Sequence, residues 1–282
     1  MTRRQALALL GAAIPARAAT PVPALCLFSG SVQGLEYSEL PLIAKDLGFD
    51  GVDLTVRPGG HVEPRLSNVD LVRAIEEVRG PGLEVPVITT ALTSPYDPTV
   101  LPVVAIAGHT QVTLFTAGFF RAQNPNYKRD IAGLISIGSH YGMAVALHNY
   151  TGEDAGETSW DAVDLVNGFD PKWSGLYFDP IHAGARWETE LRRNLPRLRS
   201  VALKDFELVD GYAKPCPLGQ GMVDWTKFFS ILAQARYYGP LSLKMDYRPK
   251  DETGSLKKDC AFAHEKIKIA YKVMASDSGA KS

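Results

Sequence analysis

The stretch GLYFDPIHAGARW, residues 175–187, opens as a short apolar run, Leu176 to Phe178, and then changes character. Asp179 and His182 stand where the run ends. A helical pattern, TSWDAVDLVNGF at 158–169 with Thr158 as its cap, precedes it, and the helix-like WETELRRNL follows. The unit therefore reads as a buried strand between helices that places a carboxylate and an imidazole at its C-terminal end.

Working outward, the same alternation recurs. ALCLFSG (24–30), GVDLTV (51–56), EVPVITT (84–90), TQVTLF (110–115) and MAVALHN (143–149) read as strands. LRSVALKDF (198–206) and PLSLKMDY (240–247) hold two more. Between them lie helical stripes. Leu40, Ile43, Ala44 and Leu47 form one, stopped by Gly48; Val69, Leu71, Val72, Ile75 and Val78 form another, with Ser67 as its candidate cap. KRDIAGLISIGSHYG, DWTKFFSILAQARYYG and FAHEKIKIAYKVMA supply further helices. Strands alternating with helices imply a parallel sheet, and eight such units suit a single (β/α)8 TIM barrel over residues 20–282. A doubly wound open sheet is the alternative, but no GxGxxG follows the first strand and no P-loop occurs.

The chain has 282 residues, 45% hydrophobic and 22% charged, with a formal net charge of -1. That balance offers no basic field for nucleic acid or an anionic membrane. Cys26, Cys216 and Cys260 show neither CxxC nor zinc spacing and read as packing residues. Residues 1–19 read as a leader: Arg3-Arg4-Gln5, a short apolar run from Ala6 to Ile14, and ARA before Ala19. The run is too short to span a bilayer, and the paired arginines resemble a twin-arginine export signal. The expected location is periplasmic or otherwise exported.

A barrel collects its chemistry at the C-terminal ends of its strands. Asp53 stands in the second strand and Arg57 and His61 follow it, and His148 and Asn149 end the fifth. Asp179 and His182 end the sixth, Lys204 and Asp205 the seventh, and Lys244 and Asp246 the eighth. Singly these have plain readings: Asp179 as a helix cap, Lys204 and Asp205 as an ion pair, Asp53 facing the barrel interior, His61 solvated. Together they define a site, because buried charges need partners, a metal or a substrate. His148, Asp179 and Asp246 are the candidate ligands of a divalent ion, with Mn, Co, Mg or Zn all compatible and Asp205 competing for the third position. Lys204 and Lys244 are candidate oxyanion stabilisers, and either is eligible for a Schiff base.

In order along the chain, GVDLTVRPGGHV, VITTAL, LHNYTG, YFDPIHA, VALKDF, PLGQGMVDW and GPLSLKMDY resemble the sugar phosphate isomerase/epimerase family with its xylose isomerase-like TIM barrel. The resemblance implies isomerisation or epimerisation of a sugar or polyol by proton transfer next to a carbonyl, usually with a divalent metal. Asp179 falls on the family's sixth-strand metal aspartate, and His182 on a neighbour that touches substrate. His148, His182, Lys204 and Lys244 are then the expected catalytic groups, and Asp53, Arg57, His61, Asn149 and Asp205 the expected substrate contacts. This chain departs from the pattern at four places. His148-Asn149-Tyr150 stands for HNH, no glutamate occupies the fifth strand, Ala202 replaces a histidine, and Lys244-Met245-Asp246-Tyr247 replaces His-x-Glu-Tyr. A lyase using Lys244, or a sugar-binding barrel without metal, are the alternatives. A nuclease like endonuclease IV lacks both its ligand set and a basic face here. The expected partner is a small-molecule sugar, with no nucleic acid and no membrane span; assembly into a homo-oligomer is left open, as is a lid role for the long segment after the seventh strand.

Overall fold

The computed structural model describes residues 22–118, 125–149 and 162–279. The leader, Tyr150 and the Thr158 cap lie outside them. Ten strands are described: β1 Leu25–Phe28, β2 Gly51–Val56, β3 Glu84–Thr90, β4 Leu114–Thr116, β5 Ala144–His148, β6 Ser174–Phe178, β7 Leu198–Leu203, β8 Asp205–Val209, β9 Tyr212–Cys216 and β10 Leu241–Leu243. The helices are α1 Leu40–Leu47, α2 Ser67–Arg79, α3 Val100–His109, α4 Tyr127–His140, α5 Ala162–Val166, α6 Pro180–Ala183, α7 Trp187–Asn194, α8 Trp225–Gln234 and α9 Glu252–Gly279. Eight of the strands close a barrel in the order β1-β10-β7-β6-β5-β4-β3-β2. Every pairing in it is parallel, from Leu25 against Leu241 round to Leu27 against Val52. The fold is the TIM barrel. Among the described residues no helix is long and apolar enough to cross a membrane.

Two-residue alternation divides each strand between two cores. Val145 and Leu147, Leu176 and Phe178, Val201 and Leu203, Leu241 and Leu243 join the cluster that packs with the helices. Ala144, Ala146, Tyr177 and Ala202 belong to a separate cluster inside the barrel, with Val87 and Leu114. Asp53 lies at this inner level. Its carboxylate accepts from Thr89 Oγ1 at 2.7 Å and Ser242 Oγ at 2.5 Å, fully buried. Burial raises its pKa, against the pull of Lys244 and the two hydroxyls. The inward phase then carries upward to the next residues in register: His148 above Ala146, Asp179 above Tyr177, Lys204 above Ala202 and Lys244 above Ser242. Strand parity alone thus aims the four groups into one mouth.

The segment after β7 departs from the loop expected there. β8 and β9 form an antiparallel hairpin, Asp205 opposite Cys216, around Asp210 and Gly211, both at positive φ. That is the Asp-Gly signature of a tight hairpin turn. The rest of the segment is gathered by Asp205. Its carboxylate accepts from the backbone N–H of Phe206, Gly219, Gly221 and Val223 and from Trp225 Nε1, at 2.9–3.2 Å. A Cβ at Gly221 would collide with Asp205 Oδ1 and the Phe206 carbonyl. Two further readings change. Ser67 begins α2 without making a cap bond, and α3 follows β3 where no helix was expected. Free Cys26 and Cys260 are buried and Cys216 is half-buried.

Because five donors converge on one buried carboxylate, Asp205→Ala should cost about 3 kcal/mol in urea unfolding, the range set by losing charged hydrogen bonds. A loss below about 0.5 kcal/mol, within the range of ordinary surface substitutions, would mean that the segment holds its shape without Asp205.

Candidate active site

The ends of β5 and β6 are locked to each other before any side chain enters the mouth. Asn149 Nδ2 donates to the Asp179 carbonyl at 3.0 Å, and the Asp179 N–H donates back to Asn149 Oδ1 at 2.8 Å. Asp179 does two jobs. Oδ1 accepts from the Ile181 N–H at 3.1 Å, capping α6, and Oδ2 turns to the mouth. Lys204 Nζ lies 2.9 Å from that oxygen, with His148 Nε2 at 3.7 Å and His182 Nε2 at 3.8 Å. Lys204 Nζ also meets Asp246 Oδ2 at 2.5 Å. The two imidazoles stack edge to face, their centroids 5.1 Å apart. Lys244 Nζ sits over two rings, 4.1 Å from the centroid of Phe28 and 4.6 Å from that of Tyr177.

Burial and charge set the protonation states. Burial would raise the Asp179 carboxyl, but Lys204, His182 and His148 overcome it and hold it well below the usual carboxylate range. Burial works against the Lys204 ammonium, yet Asp179 and Asp246 push its pKa above the ordinary lysine value. Burial lowers His148 strongly and His182 less so, in both cases against the pull of Asp179. Burial lowers Lys244 to about 8, with Lys204 adding to the shift and Asp53 opposing it. At neutral pH the mouth therefore holds a fixed Lys204–carboxylate pair, two uncharged imidazoles and an easily deprotonated lysine.

These groups line a cavity of about 450 Å³. Arg57, His148, His182, Lys204, Lys244 and Asp246 from the sequence reading are on its wall. Asp179 lies directly beneath, bound to Lys204. Asp53, His61, Asn149 and Asp205 are not on the wall. Asp53 bonds within the barrel, Asn149 clamps Asp179, and Asp205 holds the following segment rather than pairing with Lys204. His61 folds back on Thr55, its N–H donating to Thr55 Oγ1 at 3.0 Å and Nδ1 lying 3.2 Å from the same oxygen. Burial lowers its pKa. The sequence reading missed the opposite wall: Thr89, Thr90 and Thr116, with Phe28 and Tyr177 flanking. Thr89, Thr116 and Tyr177 stand in the inward phase of their strands, which was the available signal.

His148, Asp179 and His182 offer ligand atoms within 4.8 Å of one another, a group that could hold a metal ion. Two imidazoles and a carboxylate suit zinc and similar divalent ions. His182, rather than Asp246, completes this set, because Asp246 is turned to Lys204. As arranged the set does not fit a resident ion. Its one acidic oxygen already holds the Lys204 ammonium, which a metal would have to displace.

The chain matches the xylose isomerase-like TIM barrel family over residues 42–266 and belongs to that family. Its fold is similar to a xylose isomerase domain protein from Planctomyces limnophilus, at 18% identity and TM-score 0.68, covering 91% of this chain and 99% of that one. It is also similar to a xylose isomerase-like TIM barrel protein from Mycobacterium smegmatis in complex with magnesium, at 16% identity and TM-score 0.66, covering 88% and 97%. A third similar structure is 3-keto-D-glucoside 4-epimerase from E. coli, at 15% identity and TM-score 0.64, covering 86% and 99%. No curated protein sequence matches the chain significantly.

The lowered imidazole values have a consequence for stability. Unfolded histidines bind protons near pH 6.5, whereas His148 and His182 in the fold do so only at lower pH. Below about 6.5 the unfolded state therefore binds more protons, and stability falls as pH falls. Asp179, also depressed, adds a further loss only below about pH 4. Urea midpoints should decline as pH falls from 6.5 to 5, and they should rise above about pH 8, where folded Lys244 gives up a proton that its unfolded form keeps. His148→Gln should flatten that decline; an unchanged slope would mean His148 titrates normally in the fold.

Proposed function

We propose that the barrel mouth is the active site of a sugar isomerase or epimerase that moves a proton on the carbon next to a carbonyl. The observation that carries this reading is the pairing of two half-buried, uncharged imidazoles with two lysines on one wall of the cavity. An uncharged imidazole can accept a proton at neutral pH. His182, with 23% of its side chain exposed against 9% for His148, is the better placed base. His148 stands 5.1 Å away, centroid to centroid, and can return a proton at a second position. Proton removal places negative charge on the carbonyl oxygen, and the Lys204 end supplies positive charge on the cavity wall. On the facing wall Thr89 and Thr90 donate their hydroxyls to Asp53 and to the Thr116 carbonyl, which leaves the Thr116 hydroxyl for a polyol chain. Family membership and a fold shared with 3-keto-D-glucoside 4-epimerase support the same class of chemistry.

A divalent ion on the His148–Asp179–His182 group would polarise the same carbonyl. We assign that positive charge to Lys204, because its ammonium already occupies Asp179 Oδ2. The substrate class is a free or oxidised sugar, since no glycine-rich phosphate loop follows the strands. The leader read in residues 1–19 supports an exported location for such a sugar.

Incubation in D2O with a panel of ketoses and keto-glycosides, followed by NMR, should reveal deuterium on the carbon next to the carbonyl of at least one of them. His182→Gln should slow that exchange by about 100-fold, the lower range for a lost acid–base group. No exchange across the panel, or exchange unaffected by this substitution, would overturn the reading. Dialysis against EDTA should leave the rate within about twofold, less than losing one acid–base group costs. A rate lost to EDTA and restored by Mn or Zn would return the cation's role to a metal.

A further inference from the structure

The two lysines of the mouth stand on neighbouring strands in matching positions. Leu203 pairs with Leu243, and Lys204 and Lys244 are the next residues on each strand. Their surroundings are opposite. Lys204 takes both nearby carboxylates, Asp179 at 2.9 Å and Asp246 at 2.5 Å. Lys244 has no carboxylate within ion-pair distance among the described residues. The remaining candidate, Asp53 one layer below, spends its oxygens on Thr89 and Ser242. What Lys244 Nζ meets instead is the faces of Phe28 and Tyr177. These exclude water on two sides and offer far less counter-charge than a carboxylate. The open side faces the cavity, whose wall Lys244 helps to form.

We propose that Lys244 is a nucleophilic amine that condenses with the carbonyl carbon of the sugar and carries it as a protonated imine through the proton transfer. This rests on the reading of the cavity as a carbonyl-sugar site and adds a covalent step to it. An amine beside a second cation, in a water-poor pocket, is the arrangement that activates a lysine. Lys204, held by two carboxylates, is not available for the same role.

The step balances without a further reagent. The free amine attacks the carbonyl carbon, and a carbon–nitrogen bond forms. The carbonyl oxygen then leaves as water. Counted from the ammonium, two of its three protons depart with that water, and the third stays on the imine nitrogen, so the charge is conserved. The iminium draws electrons from the adjacent carbon, whose proton passes to the neighbouring imidazole, leaving an enamine. Return of a proton and hydrolysis release the product and the amine. Lys204 keeps Asp179 and Asp246 from pairing with Lys244, so its part is to leave that amine without a counter-ion.

The test is reductive trapping of the full chain with glycolaldehyde and sodium borohydride, followed by peptide mass spectrometry. Lys244 should acquire the reduced two-carbon adduct at least tenfold faster than any other lysine, with Lys204 unmodified. Lys244→Arg, which keeps the charge but cannot form an imine, should remove that adduct and, with its circular dichroism unchanged, abolish the D2O exchange. Adducts spread over exposed lysines with Lys244 no faster would overturn the proposal, as would full exchange in Lys244→Arg. Exchange in the native chain without a Lys244 adduct would remove the covalent step and leave the isomerase reading standing. A fast Lys244 adduct with no exchange on any sugar would support the amine and remove that reading instead.

Discussion

The ion pair of Lys204 with Asp179 is the contact on which the mouth depends. Asp179 is completely buried and its Oδ2 faces two imidazoles that stay uncharged. Without a cation, that carboxylate would pull a proton onto one of them or take one itself. Burial of a single charge is costly, and removing one partner of a buried pair costs about 3–5 kcal/mol. Lys204 settles the matter by bridging Asp179 below and the 41% exposed Asp246 above. Both carboxylates are thereby taken up by Lys204, and among the described residues Lys244 has no carboxylate within ion-pair distance. Burial lowers both imidazoles and Lys244, and the Lys204 ammonium adds to each of those shifts.

That ammonium reaches its place because the barrel repeats a simple rule. Parallel strands closed on themselves put alternate residues inside, and small inner residues leave room above them. Ala146, Ala202 and Ser242 are such residues, each two positions before a group of the mouth. Tyr177 is the exception, a large ring in the inner layer, and its face is what Lys244 rests on. The mouth is thus built on the filling of the barrel.

The same rule explains what was legible in the sequence. Strand runs ending in ionisable residues disclosed the barrel and five of its charged strand ends. His148, Asp179, His182, Lys204 and Lys244 were found because each is chemically conspicuous. The threonine wall was not, because threonine is an ordinary strand residue. Helix α3 was missed because VLPVVAIAGH is almost wholly apolar and shows no stripe against a polar face. The Asp-Gly turn at 210–211 was a readable hairpin signal, passed over inside a long segment already taken for a loop. Asp205 stood in the expected place for a site residue, but its partners lie 14 to 18 positions further on at Gly219, Gly221 and Val223. Nothing in local pattern distinguishes a carboxylate that binds substrate from one that closes a loop.

The departures from the family pattern are coherent once charge is counted. A divalent ion on His148, Asp179 and His182 would add two positive charges beside Lys204 and Lys244, and it would have to displace the Lys204 ammonium from Asp179 Oδ2. With Lys204 in that position, two carboxylates meet one fixed ammonium and one lysine near its titration point. Burial keeps both imidazoles below the ordinary histidine value against the pull of Asp179. Ala202 belongs to the same logic. A histidine there would sit one layer below Lys204, in the space that the inner alanines leave apolar.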